Sequence, residues 1–290
     1  MKTLIVVLLI ILIGAVIVIG NKARKAAFAR KATLDQLNVD YSQLVNTKWN
    51  LWDLRKFIES LPQSDLKQLG DLTGKSGGNA EDLTKQLLWL SSNAFAYPFK
   101  DPDKVDYHSD ILVWVAEKNG ISGCEDLSSF RIERRIFENK FAQIWDRLNH
   151  QQRLELLEKM KVSGLSESQK SAILAASGAV ALTTLSATVA FSGFAFYTTM
   201  STVIFTSAGF LGVTLPFAAY GGASSAVAVL SGPIGWSIAL IAAGGATFWA
   251  AGPDPQRTAA FILAIHELKA RRADEIVKKI QMLGGTAPGI

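Results

Sequence analysis

The chain has 290 residues, of which 49% are apolar and 19% are charged, and its net charge is +5. Ordinary soluble chains contain about 25% charged residues, so the composition argues against a protein that is soluble throughout. A single cysteine, Cys124, excludes an intrachain disulfide and a cysteine-based zinc site. The modest positive charge lies mainly beside an apolar run, which suits a membrane flank better than a nucleic-acid groove.

The chain begins with an apolar run, Thr3–Gly20, which is 18 residues long and rich in Leu, Ile and Val. That length is about the minimum for crossing a hydrocarbon core. Only Lys2 precedes the run, and the nearest Ala-x-Ala, Ala27–Ala29, lies beyond a charged stretch. Both features favour an uncleaved anchor over a secretory signal. We therefore predict a transmembrane anchor at residues 1–21.

A basic segment follows directly and continues as a linker and helix over residues 22–49. Its cations are Lys22, Arg24, Lys25, Arg30 and Lys31. Positive charge beside a membrane span is typical of the cytoplasmic side. We therefore expect the part of the chain that follows to be a soluble domain facing the cytoplasm.

Residues 21–170 have the charge density of a soluble domain, and we predict a helical cytoplasmic domain over 50–170 from the spacing of its apolar residues. Leu51, Leu54 and Ile58 repeat at intervals of three and four residues, up to Pro62. The clearest helix covers 130–148. Its apolar stripe consists of Ile132, Ile136, Phe141, Ile144, Trp145 and Leu148. No stretch alternates as a strand would, so the sequence predicts an all-α fold.

An uncharged run extends from Ser171 to Pro253, over 83 residues. Its length fits three membrane spans of about 27 residues, whereas four would be tight. Basic residues flank both ends, which predicts that both ends are cytoplasmic and that the number of spans is even. The length of the run therefore favours three spans, whereas the flanking charge favours an even number. The run is predicted to form membrane helices, with two, three or four spans left open.

The same run is rich in small residues, which allow helix backbones to approach closely in lipid. The predicted packing positions are Gly221, Gly222, Gly232, Pro233, Gly235, Gly244 and Gly245. Such helices pack against one another or against copies of themselves. No ionisable side chain lies in the run, which argues against an ion-coupled transporter.

The C-terminal region, residues 254–283, has the pattern of an amphipathic helix, with a flexible tail at 284–290. Lys269, Arg271 and Arg272 contribute to its basic side, and Arg271 and Arg272 would flank the membrane. Two placements are open. The helix would lie on the membrane surface or pack against the helix at 130–148.

No catalytic constellation is recognisable in the sequence. Gly70–Ser76 has three residues between its glycines where a phosphate loop needs four. His108 falls in a short acidic segment, Asp106–Asp110, that we interpret as a solvated loop. Cys124 has no basic neighbour in the sequence to activate it. We predict a protein without enzymatic activity, cofactor or metal.

Seven short segments follow one another in a characteristic order and spacing: Asn50–Leu54, Leu61–Leu66, Tyr107–Leu112, Phe130–Glu133, Lys140–Leu148, Gly232–Gly235 and Arg257–Ile265. Over about residues 50–272 the chain thereby resembles the YaaW-like family of uncharacterised bacterial proteins. The middle of that family is similar to the helical domain of ubiquinol–cytochrome c chaperones. The resemblance implies a helical fold and supplies no functional residues, and the chaperone similarity links it to protein assembly by fold-level analogy only. We expect the protein in a bacterial inner or thylakoid-type membrane. Residues 1–49 have no counterpart in it, and the uncharged run is longer here.

The leading functional prediction is a non-enzymatic, membrane-anchored scaffold or assembly factor that self-associates as a homo-oligomer or joins a membrane protein complex. Its expected partners are membrane lipids and proteins, with no nucleic acid. Trp49, Trp52, Arg131 and Arg134 are the candidate partner-binding residues. The alternative is a pore or channel built from copies of the uncharged run, with hydroxyl-bearing walls that include Thr183 and Thr184.

Overall fold

The structure is a computed structural model that describes residues 2–72, 78–92, 104–159, 165–188, 253 and 255–286. The side chains of residues 2–21 lie outside the description. Every regular element in the described part of the chain is helical, and no strand occurs there. The predicted all-α fold is confirmed for these residues.

The helices follow one another in a simple order. They are α1 (Lys2–Asn46), α2 (Leu51–Glu59), α3 (Gln63–Leu72), α4 (Ala80–Leu90), a π-helix (Tyr107–Val113), α5 (Trp114–Lys118), α6 (Ser129–Arg147), α7 (His150–Lys159), α8 (Glu167–Ala175), α9 (Gly178–Thr188) and α10 (Pro255–Met282). The chain divides into two compact units. The smaller consists of residues 1–43 with 275–290, and the larger consists of residues 44–274, so α1 and α10 each contribute to both.

Local sequence signals explain where several helices begin. Asn50 accepts a hydrogen bond from the Asp53 N–H, and the Asp53 carboxylate accepts one from the Asn50 N–H. This reciprocal arrangement satisfies two N–H groups that the first turn of α2 would leave without partners. Asn79 is likewise the N-cap residue of α4, and Ser166 is the N-cap residue of α8.

The core of the larger unit is built around α6 and the first half of α10. The predicted stripe of α6 is buried at Ile132, Ile136 and Trp145. Every residue of α10 from Thr258 to Ala270 is buried as well. Of the two placements left open for this helix, the structure shows packing against α6. Lys269, which the pattern assigned to the basic side, is therefore an interior residue.

The smaller unit joins the polar part of α1 to the end of α10. The Arg30 Nε donates to the Leu283 carbonyl oxygen at 2.6 Å. Gly284 follows with φ of +69°, the left-handed conformation that commonly ends a helix. The guanidinium therefore binds one of the carbonyls that α10 leaves without a partner at its C-terminus.

The predicted membrane segments are described only in part. Among the described residues, no helix has both the length and the apolarity to cross a bilayer. The side chains of the predicted anchor, residues 1–21, and the whole of residues 189–252 lie outside the described part. Residues 171–188 are described, and they belong to α8 and α9, of which α9 packs against α6. The predicted boundary at residue 171 thus falls inside α8.

Candidate functional site

The segment after α1 is tied to the amino end of α6. The Trp49 N–H donates to the Ser129 hydroxyl at 2.8 Å. The neighbouring Ser128 caps α6, and its own hydroxyl donates to the Val45 carbonyl oxygen at 2.6 Å. These bonds fix the backbone of Trp49 beside the first turn of α6.

One turn further along α6, Glu133 gathers three polar groups from distant parts of the chain. Its Oε1 accepts hydrogen bonds from Lys269 Nζ at 2.6 Å and from the Tyr107 hydroxyl at 3.0 Å. Its Oε2 lies 3.5 Å from His266 Nδ1. We call these four residues, together with Trp49, the buried ionic cluster.

The ammonium of Lys269 also faces two aromatic rings. It lies 3.4 Å from the centroid of the Trp49 ring and 5.4 Å from that of Tyr107. Attraction between a cation and a ring face is strongest where water is excluded. Lys269 is therefore held by a carboxylate and by the negative faces of two rings.

The cluster is closed to solvent. The side chains of Glu133 and Lys269 are 0% exposed, and that of His266 is 1% exposed. The imidazole packs against Phe130, with ring centroids 4.6 Å apart, and lies 6.2 Å from Phe137. Apolar and aromatic neighbours therefore complete the shell around the polar groups.

Burial and charge shift each pKa in the cluster. Burial raises the pKa of Glu133, but the Lys269 ammonium and His266 outweigh it and hold that pKa below its usual value. Burial lowers the pKa of His266 and of Lys269, in both cases opposed by Glu133. Burial, followed by the Glu133 charge, raises the pKa of Tyr107 well above its usual value. The 2.6 Å separation of Lys269 Nζ and Glu133 Oε1 is that of an ion pair, and burial favours the neutral form of His266 beside it.

A carboxylate, an imidazole, an amine and a phenol together have the groups needed for acid–base chemistry. A general acid or base must, however, reach its substrate directly or through one water. These side chains are enclosed in the core, out of reach of a substrate. Removing one member of the buried ion pair would leave an uncompensated charge, so the pair bears on stability. The arrangement is suited to fixing α10 and the Trp49 segment against α6.

A second set of polar contacts holds the connection between α8 and α9. Arg153 Nη1 donates to the carbonyl oxygens of Leu174 at 2.9 Å and of Ala176 at 3.1 Å. Trp145 Nε1 donates to the same Ala176 oxygen at 3.2 Å, and the Arg153 guanidinium lies 5.3 Å from the Trp145 ring centroid. One cation and one indole from α7 and α6 thus bind the carbonyls at the end of α8.

The first residue of α9 sits directly on α6. The Gly178 N–H donates to Asp146 Oδ1 at 2.7 Å. A Cβ at Gly178 would meet the Ala142 backbone at 2.5 Å, so only glycine fits this approach. We call Trp145, Asp146, Arg153 and Gly178 the α9 clamp.

The candidate partner-binding residues divide between core and surface. Trp49 is buried with Lys269 on its ring, which leaves it little surface for a partner. Trp52 is 60% exposed. Arg131 is exposed, and the half-buried Arg134 donates to Glu138 at 2.8 Å.

The predicted membrane-flanking cations also divide. The exposed ones are Lys22, Arg24, Lys25, Arg30, Lys31 and Arg272. Arg271 instead binds the buried carboxylate of Asp65 on α3. The Gly and Pro positions predicted for membrane packing, from Gly221 to Gly245, lie outside the described residues.

Two interpretations of single residues are corrected. His108 is not in a solvated loop, because it is buried in the π-helix with Nε2 2.7 Å from the Leu127 carbonyl oxygen. Cys124 does have a basic neighbour, since Arg135 Nη1 lies 3.9 Å from its sulfur. Both contacts join residues more than ten positions apart, which local spacing does not reveal.

Glu133, Lys269 and Tyr107 are the residues that sequence reasoning missed as a group. One signal was present in the sequence. Lys269 lies seven residues after Ile262 and seven before Ile276, so it falls on the apolar stripe of α10. A cation on an apolar stripe indicates a buried partner of opposite charge, although not which one.

Comparison with protein-family models, curated proteins and solved structures finds no match to this chain. The resemblance to the YaaW-like family therefore stays a prediction. Within the described part of the chain, no three His, Cys, Asp or Glu side chains are grouped as a metal site would require.

Proposed function

We propose that this chain is a non-enzymatic, membrane-anchored helical scaffold or assembly factor that self-associates. One observation carries the proposal: α6 contacts both α9, which precedes residues 189–252, and α10, which follows them. The uncharged segment therefore leaves from and returns to the same folded unit.

This arrangement bears on the number of membrane spans. Because residues 171–188 pack as α8 and α9, the uncharged stretch outside them is 189–252, or 64 residues. Two spans of about 20 residues with a connection fit this length, whereas three would leave almost nothing for connections. Both ends on α6 also require an even number. We propose a two-span hairpin, for which length and charge agree.

The acid–base side chains of the buried ionic cluster are enclosed in the core, which supports a structural role for them and not a catalytic one. Glu133 and Lys269 hold α10 in place from inside the core. A hairpin whose two ends are both fixed to one helix has a defined position relative to the folded unit. Such a position is what a scaffold requires in order to present its surface at a constant distance from the bilayer.

Two exposed tryptophans offer a contact surface for a protein partner. Trp52 on α2 is 60% exposed and Trp89 on α4 is 43% exposed, and these two helices pack together. An ion pair between Arg55 of α2 and Glu81 of α4, with Nη2 3.2 Å from Oε2, also joins the two helices. Tryptophan is enriched among the residues that dominate binding energy at interfaces.

The test is the size of the detergent-solubilised full-length chain, measured by light scattering after size-exclusion chromatography. The proposal predicts a defined multimer or a complex with a second membrane protein. A clean monomer with no co-purifying protein contradicts it. Dye release from liposomes is measured in parallel, because a concentration-dependent leak that requires residues 189–252 would favour a pore instead.

A further inference from the structure

The basic part of α1 forms a positively charged collar on an uninterrupted helix. Its five cations, Lys22, Arg24, Lys25, Arg30 and Lys31, are all exposed. The first acidic residue after the apolar run is Asp35. Because successive helix residues turn by about 100°, Lys22, Arg24 and Lys25 alone project in three directions. The positive charge therefore surrounds the helix.

The structure adds the C-terminal end of α10 to this collar. Arg30 Nε donates to the Leu283 carbonyl oxygen, and the Leu283 N–H donates to the Lys279 carbonyl oxygen at 3.1 Å. Lys279 therefore lies one helical turn from the bond that joins the two helices. Lys278 and Lys279 are exposed. Two cations remote in sequence are thus brought to the same unit as the collar.

We propose that the collar and the end of α10 together bind the anionic headgroups of membrane lipids. The proposal rests on the membrane attachment proposed above, and it names the lipid class that the attachment selects. None of the ion pairs among the described residues uses Lys22, Arg24, Lys25 or Lys31. Their charge is directed outward.

The position along the helix matches the headgroup layer. A polar layer of about 5–8 Å covers each face of the hydrocarbon core. Helix residues rise about 1.5 Å each, so Lys22, Arg24 and Lys25 lie within that layer when Gly20 ends the span, whereas Arg30 and Lys31 lie about 15 Å along the axis, beyond it.

Native mass spectrometry of the full-length chain with equal amounts of phosphatidylglycerol and phosphatidylcholine, matched in acyl chains, tests the site. Each Lys or Arg near an anionic surface contributes roughly fivefold in affinity. The proposal predicts an excess of bound phosphatidylglycerol that falls at least about fivefold in the collar variant. That variant carries Lys22→Gln, Arg24→Gln, Lys25→Gln and Lys31→Gln.

A matched control removes the same charge from exposed lysines of the larger unit. It carries Lys67→Gln, Lys85→Gln, Lys104→Gln and Lys118→Gln. The control is expected to keep the preference within about twofold, because these lysines are spread over separate segments and are not concentrated next to an apolar run as the collar is. Equal loss in both variants, or no loss in the collar variant, overturns the proposal. Lys278→Gln with Lys279→Gln is expected to give a smaller loss than the collar variant, because the end of α10 is joined at Arg30 and not at the cations next to the span. No loss would overturn the contribution of α10.

Flotation with vesicles of pure phosphatidylcholine separates this proposal from the one on which it rests. Wild type and collar variant are both expected to float, because the apolar segments suffice for attachment. If wild type does not float, membrane attachment itself is wrong. If it floats but shows no preference for phosphatidylglycerol, only the lipid site is wrong.

Discussion

Lys269 and Glu133 are 136 positions apart in the sequence and form an ion pair with both side chains fully buried and Nζ 2.6 Å from Oε1. The pair joins α10 to α6. Since α9 also packs on α6, the two helices that border residues 189–252 are fixed to a common support.

Loss of the cation is expected to destabilise the fold strongly. Lys269→Met should lower the free energy of unfolding by about 3–5 kcal/mol, because Glu133 is left charged and buried. Urea denaturation followed by tryptophan fluorescence measures the change. The half-buried pair Arg134–Glu138 is the control, since its side chains remain 40% and 37% exposed, and Arg134→Met should cost no more than about 1 kcal/mol.

The double variant separates an ion pair from simple packing. Lys269→Met combined with Glu133→Leu removes both charges, so it should recover at least half of the stability lost in Lys269→Met. Strictly additive losses would show that the two side chains contribute independently, which contradicts the geometry.

His266 makes stability depend on pH. Its pKa in the folded chain is lowered, so the unfolded chain takes up the proton first as the pH falls. The contribution of the neutral imidazole is fully present above the unfolded pKa of about 6.5 and is lost as the pH falls from there toward the folded value. The slope is at most about 1.4 kcal/mol per pH unit.

Urea denaturation at several values between pH 7 and pH 5 measures that slope. Glu133 has a lowered pKa as well, and its contribution is lost mainly below its ordinary value of 4.5, outside this interval. His266→Phe should remove the slope between pH 7 and pH 5. An unchanged slope in that variant would assign the pH dependence to other groups.

The close contact at Gly178 is expected to tolerate no side chain. Gly178→Ala places a methyl group 2.5 Å from the Ala142 backbone, and the resulting shift should cost about 1–3 kcal/mol. Thermal unfolding compares it with Gly78→Ala, where the nearest atom is 3.6 Å away. Equal melting temperatures for the two variants would contradict the packing of α9 on α6.

Arg153 should hold α9 by hydrogen bonding rather than by charge alone. Arg153→Lys keeps the charge but loses the planar guanidinium, whose Nη1 donates to the carbonyls of Leu174 and Ala176 while its Nε donates to those of Trp145 and Leu148. Hydrogen exchange of α9 amides should accelerate in this variant while that of α2 stays unchanged. Acceleration throughout the chain would indicate global destabilisation instead.

Much of the architecture follows from local patterns in the sequence. The interval between Leu54 and Ile58 and the stripe through Ile132, Ile136 and Trp145 predict the helices and their buried faces, and all five are buried. Asn50 and Ser128 cap helices where the side-chain chemistry favours it. These features depend on residues within one or two turns.

The site depends on contacts between distant segments. Glu133 reads as part of the charged side of its helix until Lys269 and Tyr107 are placed beside it. Likewise, Asp65 and Arg271 look like surface charges until α3 and α10 meet. Only the tertiary packing determines which charged residue is enclosed, so the stripe can be predicted from the sequence and the pairing cannot.

Cysteine labelling with a membrane-impermeant maleimide tests the central claim that both ends of residues 189–252 are held on one side. In a Cys124→Ser background, single cysteines replace the exposed Glu167 before the run, the exposed Gln281 after it, and Ala223 in its middle. Intact cells and inside-out vesicles are compared. The account predicts that positions 167 and 281 react from the same side and position 223 from the opposite side. Reaction of positions 167 and 281 from opposite sides would contradict it.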